Sequence, residues 1–187
     1  MSVIERLLRR EGADDLVIEP MRRRDLRHGV LEIEAASHPR PWSRNVFISE
    51  IGQVRSGSRH YVTARCQREL VGYAGLWFAA DEAHVTNVAV HPSRRRRGVA
   101  TRLMLALADT AILHGCAAWT LEVRASGHGA QELYRSFGFV PAGVRTRYYE
   151  NTEDAIVMWC HDIASPHYAE VLARIRRDVE ERCRDRS

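Results

Sequence analysis

"NVAVHPSRRRRGVATRLM", residues 87–104, runs an alternating apolar stretch into a proline turn, four arginines, one glycine and the opening of a helix. A strand that passes through a turn into a helix presents unpaired N–H groups and the positive end of a dipole at that turn. Gly98 at the helix start lets the oxygens of an anion approach the backbone. The segment therefore reads either as a backbone cradle for phosphate or as a basic patch for nucleic acid, and Arg94–Arg97 alone do not choose between them. No aromatic residue interleaves with these arginines, which leaves the nucleic-acid reading without stacking platforms.

Working outward, three strand-like runs lie upstream: "RHYVTARC" (59–66), "ELVGYAGLWFA" (69–79) and "EAHVTNVAV" (82–90). Their turn-sized separations predict an antiparallel meander. Downstream, Val99, Leu103, Ala106, Leu107 and Ala111 recur at helical spacing, and Gly115 is a stop. "AAWTLEVRA" (117–125) is a strand with Trp119, Leu121 and Val123 on one face and Thr120, Glu122 and Arg124 on the other. The strand–helix–strand unit from 85 to 123 is the expected parallel crossover.

The flanks complete the pattern. "LVIEPM" (16–21) is a short strand, and a helix from Arg24 to about Ala36 carries Leu26, Val30, Ile33 and Glu34 at helical spacing. "SHPRPWS" breaks it, and Ser43 caps a second helix through about Val54. A helix near 128–137, a strand near 142–149, the strand "EDAIVMWCH" and a tail helix from Ser165 follow. The tail's stripe is Tyr168, Val171, Leu172, Ile175 and Val179. The prediction is an α/β fold, a mixed, mostly antiparallel central sheet flanked by helices in three layers. Residues 1–15 read as an N-terminal extension, 16–163 as the domain and 164–187 as a C-terminal helical extension.

Composition narrows the class. The 187 residues are 45% hydrophobic and 28% charged, and no apolar stretch approaches the roughly 20 residues of a spanning helix. "MSVIERLLRREGADD" has no apolar signal core or cleavage site, so a cytoplasmic protein without a membrane partner is expected. The net charge is +4, and all 28 basic residues are arginine. Guanidinium fits phosphate bidentately, so the bias suits a phosphate-bearing ligand. Cys66, Cys116, Cys160 and Cys183 stand far apart and read as free thiols, with no metal site.

With strand, turn and helix in place, Val90, Arg95, Gly98 and Ala100 form V-x-x-x-x-R-x-x-G-x-A. This resembles the acetyl-CoA signature of the GCN5-related N-acetyltransferases (the GNAT superfamily). The resemblance implies that the turn and helix start, Arg95, Arg96, Arg97, Gly98, Val99, Ala100 and Thr101, hold the coenzyme's pyrophosphate, while Val88, Ala89 and Val90 pair with its pantetheine arm. "LEVRASGHGAQELYRSFGF" (121–139), then Arg145, Tyr148, Tyr149 and "EDA", is similar to the RimI group, which acetylates the N-terminal alanine of the eighteenth small-subunit ribosomal protein.

That likeness covers about residues 16–160 and is densest from 86 to 159. It implies Glu122 as general base and Tyr134 as general acid for direct transfer from acetyl-CoA, with no metal and no direct nucleic-acid partner. It also implies a peptide entrance lined by Trp42, Arg145, Tyr148, Tyr149 and Glu153. Taken singly, a Glu on a strand's polar face is ordinarily solvated and a Tyr before "GF" is ordinarily core, so both roles rest on the motif set. Arg124 either supports an ionised Glu122 or faces solvent.

One position departs: Gly127 stands where the group has an asparagine that touches the coenzyme, which predicts weaker coenzyme binding. Two other functions stay open, acetylation of another amine (lysine side chain, polyamine or aminoglycoside) and a non-catalytic acyl-CoA-binding interaction module.

Overall fold

The computed structural model describes residues 16–184, except the side chain of Cys183; the N-terminal extension expected at 1–15 lies outside the described residues. Seven strands form one sheet: β1 (Leu16–Pro20), β2 (Arg59–Cys66), β3 (Glu69–Ala79), β4 (Glu82–Val90), β5 (Ala118–Arg124), β6 (Val140–Tyr149) and β7 (Glu153–His161). Their order is β1-β2-β3-β4-β5-β7-β6. Every neighbouring pair is antiparallel except β4 with β5. That parallel pair is joined by helix α3 (Val99–Leu113), as the crossover reading anticipates.

The remaining helices are α1 (Val30–Ser37), α2 (Arg44–Gly52), α4 (His128–Ser136) and α5 (Pro166–Arg184). The continuous helix expected from Arg24 is instead a short 3₁₀ turn, Arg23–Leu26, followed by α1. Gly29 separates them at φ +135°, a value no α-helix accepts. A Cβ at Gly29 would lie 3.0 Å from the Cβ of Leu70, so β3 crowds the chain at the break. The second helix tightens into 3₁₀ form at Gln53–Ser56. Its start is capped as expected, with the Ser43 hydroxyl accepting from the Val46 N–H at 3.4 Å.

Alternation along the strands divides the core between the two faces. Tyr61, Leu70, Tyr73 and Ala89 pack with Val30, Ile33 and Phe47 of α1 and α2. Val62, Val71, Ala74 and Val90 pack on the other side with Leu103 and Leu107 of α3 and with Tyr168, Leu172 and Ile175 of α5. These are the three expected layers, with α5 docked on the domain. Trp119, 0% exposed, joins strand to tail, its ring packing edge-on to Phe137 and Tyr168 and tilted against Phe139. Trp119→Ala should cost about 3–5 kcal/mol, a large part of a typical ~5–15 kcal/mol domain stability. Denaturant unfolding would show it as a lowered midpoint.

Candidate active site

β4 and β5 are laddered at only three positions, Glu82↔Ala118, Ala83↔Trp119 and His84↔Thr120. Beyond His84, β4 stays paired with β3 up to Val90, and β5 stays paired with β7 up to Arg124. The sheet therefore splits from within. The register between β3 and β4 shifts at this point: Leu76 faces Val85 and Gly75 faces Asn87, leaving Thr86 as an extra residue. Such a bulge bends its strand, here away from β5. The bulge is pinned from β2, because the Tyr61 hydroxyl lies 3.2 Å from that of Thr86 and donates to Glu50 at 2.7 Å. Gly75 makes room for this, since a Cβ there would fall 2.2 Å from the Tyr61 ring.

At the mouth of the split, the turn after β4 delivers the chain to α3. Gly98 adopts φ +80° and a Cβ on it would meet nothing within 4 Å, so its exposed face is backbone. The first bond inside the helix runs from the Arg102 N–H to the Gly98 carbonyl at 3.1 Å. The N–H groups of Val99, Ala100 and Thr101 consequently have no acceptor within the helix. Arg94, Arg96, Arg97 and Thr101 line an adjoining cavity of about 360 Å³, to which α5 adds Arg182. Arg95 turns back instead, its Nε donating to the Val90 carbonyl at 3.2 Å. These N–H groups and guanidiniums suit a diphosphate, and the unladdered β4 edge suits an extended amide chain.

Glu122 reaches the split from the polar face of β5, and its side chain is 7% exposed. One carboxylate oxygen is 2.7 Å from Nε2 of His84, and the other is 3.0 Å from an Arg145 guanidinium nitrogen on β6. The His84 hydrogen bond, aided by electrostatic attraction towards His84 and Arg145, outweighs burial and holds the Glu122 carboxyl below the usual carboxylate range. Tyr149 donates its hydroxyl to the Glu122 carbonyl at 3.0 Å. Tyr134 projects from α4 against Phe139, and burial pushes its hydroxyl up to about 12. It stays protonated across the working pH range.

Of the residues expected at a peptide entrance, Arg145 and Tyr149 meet at Glu122. Tyr148 reaches the cluster by packing against Tyr149, with the Arg145 guanidinium 5.4 Å from its ring centroid. Glu153 is committed inward, bonded to Arg124 at 2.8 Å and to the backbone N–H of Ser126 at 3.0 Å. Arg124 neither supports Glu122 nor faces solvent. It binds Glu150 and Glu153 and lies 4.1 Å from the Tyr149 ring centroid, fastening the β6–β7 hairpin to β5. Trp42 belongs to a separate cluster, packed on Phe47, with its backbone N–H donating to Glu34 at 2.7 Å.

Sequence reasoning gives no function to His84, whose part shows only where β4 and β5 separate beside it. It places Glu34 on the helical stripe of α1 but does not give its buried hydrogen bonding. Glu34 stands where a helical stripe needs an apolar side chain, is 1% exposed, and accepts from the Tyr73 hydroxyl as well as from Trp42. Burial beside Glu34 pushes the Tyr73 hydroxyl far up, so it remains a donor and fixes the loop between α1 and α2.

The model of the acetyltransferase (GNAT) family matches residues 27–139, which contain the split, the turn and Glu122. The chain belongs to the GNAT acetyltransferase family. It is an N-acetyltransferase by that membership, with the mixed α/β sheet of the family's structures. A Bacillus subtilis relative is 36% identical over 143 residues, 76% of this chain and 93% of that one. The ribosomal protein bS18-alanine N-acetyltransferase of Escherichia coli is 36% identical over 131 residues, 67% of this chain and 84% of its own.

A crystal structure of the ribosomal-protein-S18-alanine N-acetyltransferase from Escherichia coli superposes with a TM-score of 0.71 at 32% identity. It covers 79% of this GNAT chain and 94% of the crystallised one. The family model stops before α5. Among the described residues no helix is long and apolar enough to cross a membrane, and no group of three His, Cys, Asp or Glu is placed to hold a metal.

Proposed function

We propose that this enzyme transfers acetyl from acetyl-CoA directly to the α-amino group of a protein N-terminus, the alanine of the eighteenth small-subunit ribosomal protein, in the cytoplasm. The observation that carries it is the convergence of a buried carboxylate, Glu122, on a split strand pair whose mouth is a backbone cradle for phosphates. The Escherichia coli relative named for that acceptor, 36% identical by sequence and 32% over the structural superposition, supports the same reading.

Acetyl-CoA supplies the activated thioester. The amides of Val99, Ala100 and Thr101, with Arg96, Arg97 and Gly98, hold its diphosphate, and the β4 edge from Val88 to Val90 aligns its amide arm. Glu122 takes the proton that keeps the arriving ammonium from attacking. Tyr134 keeps a proton available for the departing thiolate. A strand-edge N–H near Val90 faces the carbonyl oxygen as charge develops on it. Arg145, Tyr148 and Tyr149 wall the acceptor side, and Glu153 fixes that wall through Arg124; Trp42, in its separate cluster, is not part of that wall.

The electrostatics favour an α-amine over a lysine. A carboxylate held below its ordinary range is a weak base, and an α-ammonium of pKa about 7.8 gives up its proton more easily than a lysine ammonium near 10.4, by about 3–4 kcal/mol. The test is kcat/KM for a peptide copied from the N-terminus of that ribosomal protein. It should exceed the values for spermidine and for the same peptide starting with leucine by at least about tenfold, since the walled entrance must discriminate by more than a methylene's worth of binding. Comparable rates on spermidine would move the assignment to small amines.

A further inference from the structure

We infer that His84 is the exit for the proton that Glu122 collects, a relay from the buried carboxylate to solvent. This rests on the proposed role of Glu122 as base. The structure offers few other ways out: Glu122 is 7% exposed, and Arg145, on its second oxygen, is a permanent cation with no site to accept a proton. His84 lies on the first oxygen at 2.7 Å and is 24% exposed. Its ring is held by Trp77, its cross-strand partner, at 5.9 Å between centroids. It occupies the last rung of the β4–β5 ladder, where the split begins.

Imidazole can accept a proton at one nitrogen while releasing one from the other. In the resting pair Nε2–H donates to the carboxylate. Once Glu122 has taken the substrate's proton, exchange through solvent moves the ring proton from Nε2 to Nδ1. The Glu122 O–H bond then breaks as an N–H bond forms at Nε2, and the Nδ1 proton leaves to water, which restores the neutral ring with Nε2–H facing the carboxylate. Among the described residues no acceptor other than Glu122 bonds the ring. The charged groups that bear on it are Glu122 from β5, Arg145 reaching across from β6, and Arg59 from β2, whose guanidinium sits 5.2 Å from the Trp77 ring centroid.

The test compares His84→Ala and His84→Gln with the wild type on a free-alanine peptide, across pH and with imidazole added. Loss of one proton-transfer path should lower kcat of His84→Ala about 10–100-fold near pH 7, at the low end of general acid–base effects. The deficit should shrink towards pH 9, where the amine arrives unprotonated, and added imidazole should restore rate in the alanine variant. His84→Gln should be equally slow, because it bonds Glu122 but carries no proton onward. Acetyl-CoA affinity, measured by calorimetry, should be unchanged in both. Wild-type kcat in His84→Ala, or restoration by glutamine with no response to imidazole, would overturn the relay and leave His84 a prop for Glu122. No transfer by the wild type would remove the base assignment itself.

Discussion

Glu122→Gln should lower kcat by about 10²–10⁴, the usual weight of a positioned general base and the role proposed for this carboxylate, and leave acetyl-CoA affinity within about twofold. Glutamine keeps the shape and a bond towards Arg145 but cannot take a proton. It also leaves His84 and Arg145 facing a neutral group across the split. The deficit should be greatest below pH 8, where the acceptor is mostly ammonium, and should narrow as pH rises past the amine's pKa of about 7.7–8.

The sign of the wild-type profile follows from the same contacts. Because the Glu122 carboxyl is held low, it stays ionised to below the usual carboxylate range, so in the proposed mechanism a fall in rate from pH 8 to 6 should report the amine. The depressed pKa also contributes stability, present above the ordinary carboxylate value and lost as pH falls through the lower folded one. Steady-state rates from pH 5 to 9, with thermal unfolding of both proteins followed from neutral pH down to pH 3, check these points together.

Tyr134→Phe should cost about 10² in kcat with little change in KM for acetyl-CoA. Burial raises this hydroxyl to about 12, which makes it a weak acid in water's terms. In the proposed role, a thiolate leaving beside Tyr134 would likewise be deprived of water and become a stronger base, which would match the two groups. Phenylalanine keeps the packing on Phe139, so unfolding midpoints should barely move. Linking the loss to the leaving group needs an acyl donor with a more acidic thiol, on which the variant should recover. Equal deficits on both donors would assign Tyr134 to packing.

Much of this is legible in the amino-acid sequence. Period-2 and period-3.6 patterns placed the seven strands, and the single parallel pair followed from the length of the connection between β4 and β5. Glu122 was readable as the carboxylate on the polar face of a strand whose other face is Trp119, Leu121 and Val123. What sequence patterning could not supply was anything made by side chains distant along the chain. The Gly29 break depends on Leu70, and the bulge at Thr86 depends on Tyr61 lying over Gly75. The use of Arg124 as a hairpin clasp needs Glu150 and Glu153 brought back by a turn. His84 acquires meaning only because β4 and β5 part beside it.

The most direct test uses a lysine-containing peptide with a free N-terminal alanine and the same peptide blocked at its α-amine, each incubated with enzyme and acetyl-CoA and mapped by tandem mass spectrometry. The expected result is a single added acetyl on the alanine nitrogen of the free peptide, none on the blocked one, and almost none from Glu122→Gln. Acetyl on the lysine of the blocked peptide at a comparable rate would contradict transfer to the α-amine.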